Sequence, residues 1–265
     1  MPMQLDTGAI KAESRSLLRT GKVNPFRMTL FYLLITLVLD MINSGVSYMI
    51  DSAGGFTVLS FSFVSILVGL VALVLNAGYY CYCLGILRRE EMPYESLFDA
   101  FPFAGKVILL SIVEGVFIFL WSMLFVIPGI IAAYRYSFAM LNLCENPELG
   151  VMEALNLSKR QTFGYKWQLF VLQLSFIGWS LLVLGIFLIY ELLVAALLPD
   201  SFLGIMLGSL ILTVLTGVVD IYLTPYFALS ECGFYLRATA PEEPPRQDRS
   251  SYTCLLYTSD AADDL

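Results

Sequence analysis

Long apolar stretches separated by short polar gaps dominate the chain between Met28 and Phe227. A helix needs about 20 apolar residues to cross about 30 Å of hydrocarbon. The candidate spans are Met28–Ile50, Phe56–Leu87, Val107–Val126, Ile130–Leu143, Leu169–Leu198 and Phe202–Thr224. The pattern predicts an all-α fold, a polytopic transmembrane helix bundle with about six spans.

Turn and helix-breaking residues set the expected span limits. Ile127-Pro128-Gly129 predicts a break between the third and fourth spans, because proline removes a helix hydrogen bond and glycine permits a turn. Pro225 is expected to end the sixth span. Gly178 and Gly185 could divide the fifth stretch into a re-entrant hairpin, which leaves five or six spans open. Glycines at 69, 78, 85, 204 and 208 are expected to permit close helix packing.

The basic residues predict the orientation. All of the 15 Lys and Arg residues except Arg135 fall in gaps that share one side of a six-span bundle. Because cytoplasmic loops carry an excess of Lys and Arg, both termini are expected in the cytoplasm.

The amino-acid composition limits the catalytic and binding chemistry that the chain can carry. Apolar residues form 58% of the chain, charged residues form 14%, and histidine is absent. Without histidine, the usual neutral-pH proton shuttle and His metal ligands are missing. The net charge of -7 gives no nucleic-acid signal. We expect no catalytic residue, no cofactor and no metal site.

The five cysteines predict no disulfide framework. Cys81 and Cys83 would point about 200° apart on a helix, which makes them a poor metal pair. We expect cysteines here to be small buried apolar residues.

Three terminal segments differ from the transmembrane domain, residues 28–237. Residues 1–27 are basic and amphipathic, and predict a helix on the inner leaflet that binds anionic lipids; a solvated helix is the alternative. Residues 238–253 are polar and Pro-rich, and predict a disordered tail. Residues 254–265 resemble a translated sequencing adapter and are excluded from functional reasoning.

Two segments carry a family resemblance. FIFLWSMLFVIPGIIAAYRYSFAM (Phe117–Met140) and ENPELGVMEALNLSKRQTFGYKWQLFVLQLSFIGW (Glu145–Trp179) resemble an uncharacterised family of bacterial multi-pass membrane proteins, domain of unknown function 975. The resemblance extends over roughly Lys11–Arg237. The I-P-G break and the A-L-x-x-S pattern are also distantly similar to the membrane domain of some glycerophosphodiester phosphodiesterases. The resemblance implies a bacterial plasma membrane and no particular activity.

Glu145–Gly164 predicts a cytoplasmic amphipathic helix. Asn146 can act as N-cap with Pro147 in the first position, so the helix is expected to start there. Gly164 is expected to close it.

Five ionisable residues fall inside the apolar stretches, where charges are expensive: Asp40, Glu114, Arg135, Glu191 and Asp220. They form a candidate intramembrane polar network. Counting about 1.5 Å per residue puts Glu114 and Arg135 at different depths, so Glu191 is an equally good partner for Arg135. The alternative is a structural salt bridge with carboxyls near an interface.

Three functions remain open. The first is a non-enzymatic scaffold, regulator or envelope-stress component. The second is a transporter or lipid-handling protein, which the membrane charges and the broken hairpin favour. The third is a membrane enzyme acting on lipid head groups, for which Glu90, Glu91, Glu95 and Asp99 provide acids but no histidine. The sequence leaves the oligomeric state open.

Overall fold

The computed structural model describes residues 7–20, 25–52, 56–197 and 202–240, which form ten α-helices and include no β-strand. The helices are α1 (Thr7–Thr20), α2 (Pro25–Ser52), α3 (Phe56–Leu87), α4 (Ala104–Leu124), α5 (Val126–Tyr136), α6 (Ala139–Glu145), α7 (Val151–Gln161), α8 (Lys166–Leu174), α9 (Ile177–Leu197) and α10 (Phe202–Thr239). Two short 3-10 helices, Tyr94–Phe98 and Phe101–Phe103, link α3 to α4. For some helical residues, Glu191 among them, the side chain lies outside this description. The predicted tail after residue 240 and residues 254–265 lie outside it as well.

Within the described residues, six helical segments are long and apolar enough to cross a membrane, which confirms the all-α polytopic prediction. They are Pro25–Ser47, Ser62–Leu87, Tyr94–Leu124, Val126–Glu145, Lys166–Tyr190 and Leu210–Thr239.

Large apolar side chains are exposed in one part of the bundle and buried in the other. The exposed ones include Leu34, Phe119, Leu124, Leu188 and Val218. The fully buried ones include Tyr82, Phe138, Leu155, Phe234 and Tyr235. Contiguous exposed apolar surface of this kind is what a bilayer covers. We call the buried part the packed end: α1, the second half of α3, α6, α7 and α10 after Pro225.

The hairpin between α4 and α5 breaks earlier than predicted. Phe125 has extended backbone angles (φ -160°, ψ 152°) and separates the two helices. Pro128 lies inside the first turn of α5. A backbone N–H there would have no acceptor within the helix, so the proline costs no helix hydrogen bond. The prediction of a break at Ile127-Pro128-Gly129 was therefore wrong by two residues.

Two predicted spans are divided. The fourth consists of α5 and α6, which are separated at Ser137 and Phe138. The fifth consists of α8 and α9, separated at Ser175 and Phe176 rather than at either glycine. Phe176 is buried against Tyr226 and Phe227, so tertiary packing of an aromatic ring accompanies the break.

The sixth predicted span does not stop at Pro225, because α10 continues through it to Thr239. Proline removes one backbone donor, and the residues that follow gain tertiary packing that offsets this loss. Ala228, Leu229 and Cys232 are all buried at the packed end.

The amphipathic helix is present but starts later than predicted. It is α7, and its N-cap is Gly150. Asn146 instead accepts a hydrogen bond of 3.2 Å from the backbone N–H of Glu148, closing a local turn. Gly164 has a φ of 89°, a value that favours glycine, in the turn after α7.

Ser158 ties α7 to the turn between α5 and α6. It is fully buried, its Oγ accepts from the Phe138 N–H at 3.2 Å, and it donates to the Arg135 carbonyl at 3.0 Å. The serine of the A-L-x-x-S pattern thus pairs the N–H of Phe138 at the helix break, where an unpaired buried donor would be costly.

The apolar face of α1 packs against protein. Ile10, Ser14 and Leu18 are buried, and Arg237 forms an ion pair with Glu13. The ammonium of Lys11 lies 4.6 Å from the centroid of the Phe176 ring. Burial lowers the pKa of Lys11, and the neighbouring Arg15 charge lowers it further.

Cys81 on α3 and Cys144 on α6 form a disulfide, with their Cα atoms 5.3 Å apart. The expectation of no disulfide was therefore wrong. The two residues are 63 positions apart and are brought together only by the packing of α6 on α3. Cys83 and Cys232 are buried free thiols, as expected.

Candidate functional site

An aromatic cavity of about 580 Å³ lies among α2, α3, α5, α8, α9 and α10. Seven of its fourteen lining residues are Tyr or Phe. The lining consists of Tyr32, Asn76, Tyr79, Tyr80, Tyr134, Phe170, Gln173, Leu174, Phe176, Ile177, Leu223, Thr224, Phe227 and Ala228. Its size and its mostly apolar wall with a few convergent polar groups are typical of small-molecule sites. We call it the aromatic cavity.

The polar groups of the aromatic cavity are only partly engaged by the protein. The Tyr79 hydroxyl pairs with Thr29 at 2.8 Å, and Asn76 donates to the Tyr32 hydroxyl at 3.4 Å. Within the described residues, the Gln173 amide makes no side-chain hydrogen bond. It is therefore free to bind a polar group of a ligand.

Glu231 stands behind one wall of the aromatic cavity. The hydroxyl of Tyr80, which lines the cavity, donates a hydrogen bond of 2.9 Å to Glu231 Oε2. Glu231 lies one turn beyond Phe227 and Ala228 on the same face of α10. Sequence reasoning missed Glu231 because the sixth span was expected to stop at Pro225.

Asp40 and Asp220, two of the five predicted site residues, line a second cavity of about 690 Å³ among α2, α9 and α10. Phe26 stacks on Tyr222, which fixes the antiparallel register of α2 and α10. At about 1.5 Å per residue, this register separates the two carboxyls by about 18 Å along the helices. They therefore share a groove without touching.

The other predicted residues lie elsewhere. Glu114 is partly buried on α4. Arg135 is exposed near the end of α5, and neither described ion pair, Arg88–Glu145 or Arg237–Glu13, includes it. The Glu191 side chain lies outside the described part. A functional role for the five residues stays a prediction.

A polar network joins four segments at the packed end, and sequence reasoning did not find it. Tyr235 donates to Glu145 at 2.7 Å, and Arg88 forms an ion pair with the same carboxylate. The amides of Asn142 and Gln161 exchange hydrogen bonds of 2.8 and 2.9 Å. Because its members satisfy one another, we interpret the network as structural.

The described residues contain no group of three or more His, Cys, Asp or Glu side chains placed to hold a metal ion.

Comparison with known families gives one match. Residues 123–242, from the end of α4 onward, match the family described as "Protein of unknown function (DUF975)". The match supports the predicted resemblance in that part of the chain and does not include Lys11–Ser122. No curated protein and no solved structure matches the chain. The distant resemblance to the phosphodiesterase membrane domain therefore stays an expectation.

Proposed function

We propose that this chain is a non-enzymatic membrane protein, of regulatory or lipid-handling type, that binds an amphipathic molecule in the aromatic cavity. The cavity itself carries the proposal, because it combines a large aromatic wall with a few polar groups at one place. Tyr and Phe rings suit the acyl part of such a ligand, and the free Gln173 amide suits its head.

The geometry favours binding over catalysis. The polar groups of the aromatic cavity are hydroxyls and amides, and its lining includes none of the His, Asp, Glu, Lys or Cys side chains that most often carry general acid–base catalysis. The carboxylate of Glu231 is held behind Tyr80.

The proposed location is the bacterial plasma membrane, with six spans and both termini in the cytoplasm. The distribution of Lys and Arg supports this orientation. Anionic lipids of the inner leaflet remain the proposed partner of α1. Since Ile10 and Leu18 pack on the bundle, α1 would attract those lipids through charge and not by inserting an apolar face.

Photolabelling tests the proposed function. The full chain in lipid nanodiscs would be irradiated with a neutral probe, diazirine-labelled hexadecanol, and labelled peptides would be identified by mass spectrometry. We expect labels concentrated on residues 170–177 and 223–228.

Two variants on α8 make the test specific. Leu174 lines the aromatic cavity and is 45% exposed, so Leu174→Trp should fill the opening without disturbing the core. Val171 is 38% exposed on the same helix and is absent from the lining, so Val171→Trp is the matched control. Labelling should fall in Leu174→Trp alone. Equal labelling of all lipid-facing helices, unchanged by Leu174→Trp, would contradict the proposal.

A further inference from the structure

We propose that the aromatic cavity selects an amphiphile with a cationic head, of the quaternary-ammonium class. This inference rests on the proposed function and adds the charge of the ligand to it. Three observations carry it: a cation already bound by one ring of the cavity, a carboxylate behind another, and the types of side chain in the lining.

The first observation is an ammonium group on one ring of the cavity. Phe176 lines the cavity, and the Lys11 ammonium lies 4.6 Å from its ring centroid. Aromatic faces attract cations through the ring quadrupole, and Tyr and Phe both do so. Tyr79, Tyr80 and Tyr134 offer further aromatic surface to a ligand in the cavity.

The second observation is the hydrogen bond from Tyr80 to Glu231. A phenol that donates to a carboxylate carries more negative charge on its oxygen and ring, which strengthens its attraction for a cation. Neither ion pair among the described residues involves Glu231. A bound cation would supply a counter-charge for this partly buried carboxylate.

The third observation concerns the lining as a whole. Its fourteen residues include no Lys or Arg, so an anionic head would find no counter-charge within the wall. Lys11 is not a lining residue, and its ammonium is engaged by the Ser175 hydroxyl and by the Phe176 ring. A neutral head could bind through Gln173 but would gain nothing from Glu231.

Competition against the neutral photoprobe tests the charge. Tetradecyltrimethylammonium, tetradecyl maltoside and tetradecyl sulfate share one alkyl chain and differ in head charge. For the unmodified protein, we expect the ammonium compound to displace the probe at an about tenfold lower concentration than the maltoside. The sulfate should be the weakest competitor.

Glu231→Gln should abolish this preference while leaving displacement by the maltoside unchanged. Tyr80→Phe should also reduce the preference, because it removes the link to Glu231. Asp220→Asn is the control, since Asp220 is on the same helix but lines the other groove. A circular dichroism spectrum and a gel-filtration profile that match those of the unmodified protein would show that each variant is folded.

The outcomes separate the two proposals. If all three compounds compete equally, if the sulfate competes best, or if Glu231→Gln keeps the preference, the cationic inference is overturned while ligand binding stands. If the probe does not label the cavity in the unmodified protein, both the proposed function and this inference fail.

Discussion

The hydroxyl of Tyr235 donates a hydrogen bond of 2.7 Å to the carboxylate of Glu145. Tyr235 is 1% exposed, and this bond joins α10 to α6 within the polar network at the packed end. Tyr82 is buried to the same extent, but its hydroxyl has no hydrogen-bond partner among the described residues. The two tyrosines thus differ in partner and not in burial.

Replacing each tyrosine by phenylalanine should have opposite effects. Tyr235→Phe should lower the free energy of unfolding by about 1–3 kcal/mol, because it leaves a charged acceptor short of a donor. Tyr82→Phe should leave it unchanged or raise it by up to about 1 kcal/mol, because it removes an unsatisfied buried hydroxyl. Unfolding in mixed micelles with increasing SDS would measure both. Equal losses in the two variants would contradict the assignment.

Gly78 should not tolerate even alanine. A Cβ at this position would lie 1.9 Å from the carbonyl oxygen of Leu97, where α3 meets the first 3-10 helix. Backbone cannot yield as a flexible side chain does, so Gly78→Ala should cost at least about 2 kcal/mol of unfolding free energy.

Gly69→Ala is the control for Gly78, because Gly69 lies on the same helix with no atom within 4 Å of its added Cβ. Alanine favours the helix, so this variant should be neutral or more stable by up to about 1 kcal/mol. Melting temperatures of the two purified variants would check the contrast. A Gly78→Ala protein as stable as Gly69→Ala would show that the contact is not as close as described.

Apolar length predicted most of the architecture from sequence. Phe56–Leu87 was predicted and is observed as one helix with the same limits. In a bilayer, the backbone N–H and C=O groups of such a stretch must be hydrogen-bonded to each other, and a helix achieves this within one segment. The amphipathic helix α7 was predicted for the same kind of reason, from periodic apolar positions.

The features that the sequence did not predict depend on tertiary packing. Pro225 resembles a helix stop, but the packed residues after it keep α10 helical. Because the span was expected to end at Pro225, Glu231 was not counted among the ionisable residues of the membrane spans. The Cys81–Cys144 bond and the aromatic cavity join residues far apart in the chain. No local pattern encodes such contacts, and one sequence alone does not show which positions vary together.

The orientation can be tested with reporter fusions. Reporters after Lys22, within Glu90–Asp99 and after Arg237 should show a cytoplasmic signal, and those after Gly54 and Asp200 an external one, because the basic gaps are retained inside. A signal assay in intact cells would distinguish the two sides. An external signal within Glu90–Asp99 would overturn the six-span orientation, and an external signal only after Arg237 would favour five spans.

The last prediction concerns the Cys81–Cys144 bond, which closes a loop with a sequence separation of 63 residues between α3 and α6. In the oxidised, purified protein, Cys81→Ser and Cys144→Ser should each lower the free energy of unfolding by about 2–4 kcal/mol, because the unfolded chain regains conformational freedom. The double variant should be no less stable than either single variant, since both changes remove the same bond. Adding a reductant should destabilise the unmodified protein to the same degree and leave Cys81→Ser unaffected. Additive losses in the double variant, or an unmodified protein insensitive to the reductant, would show that these cysteines act through packing alone.

The Cys81–Cys144 bond also bears on the orientation of the bundle, because cytoplasmic thiols are kept reduced. If the packed end faces the cytoplasm, alkylation in intact cells should find both thiols free, and the stabilisation should emerge only after oxidation in vitro.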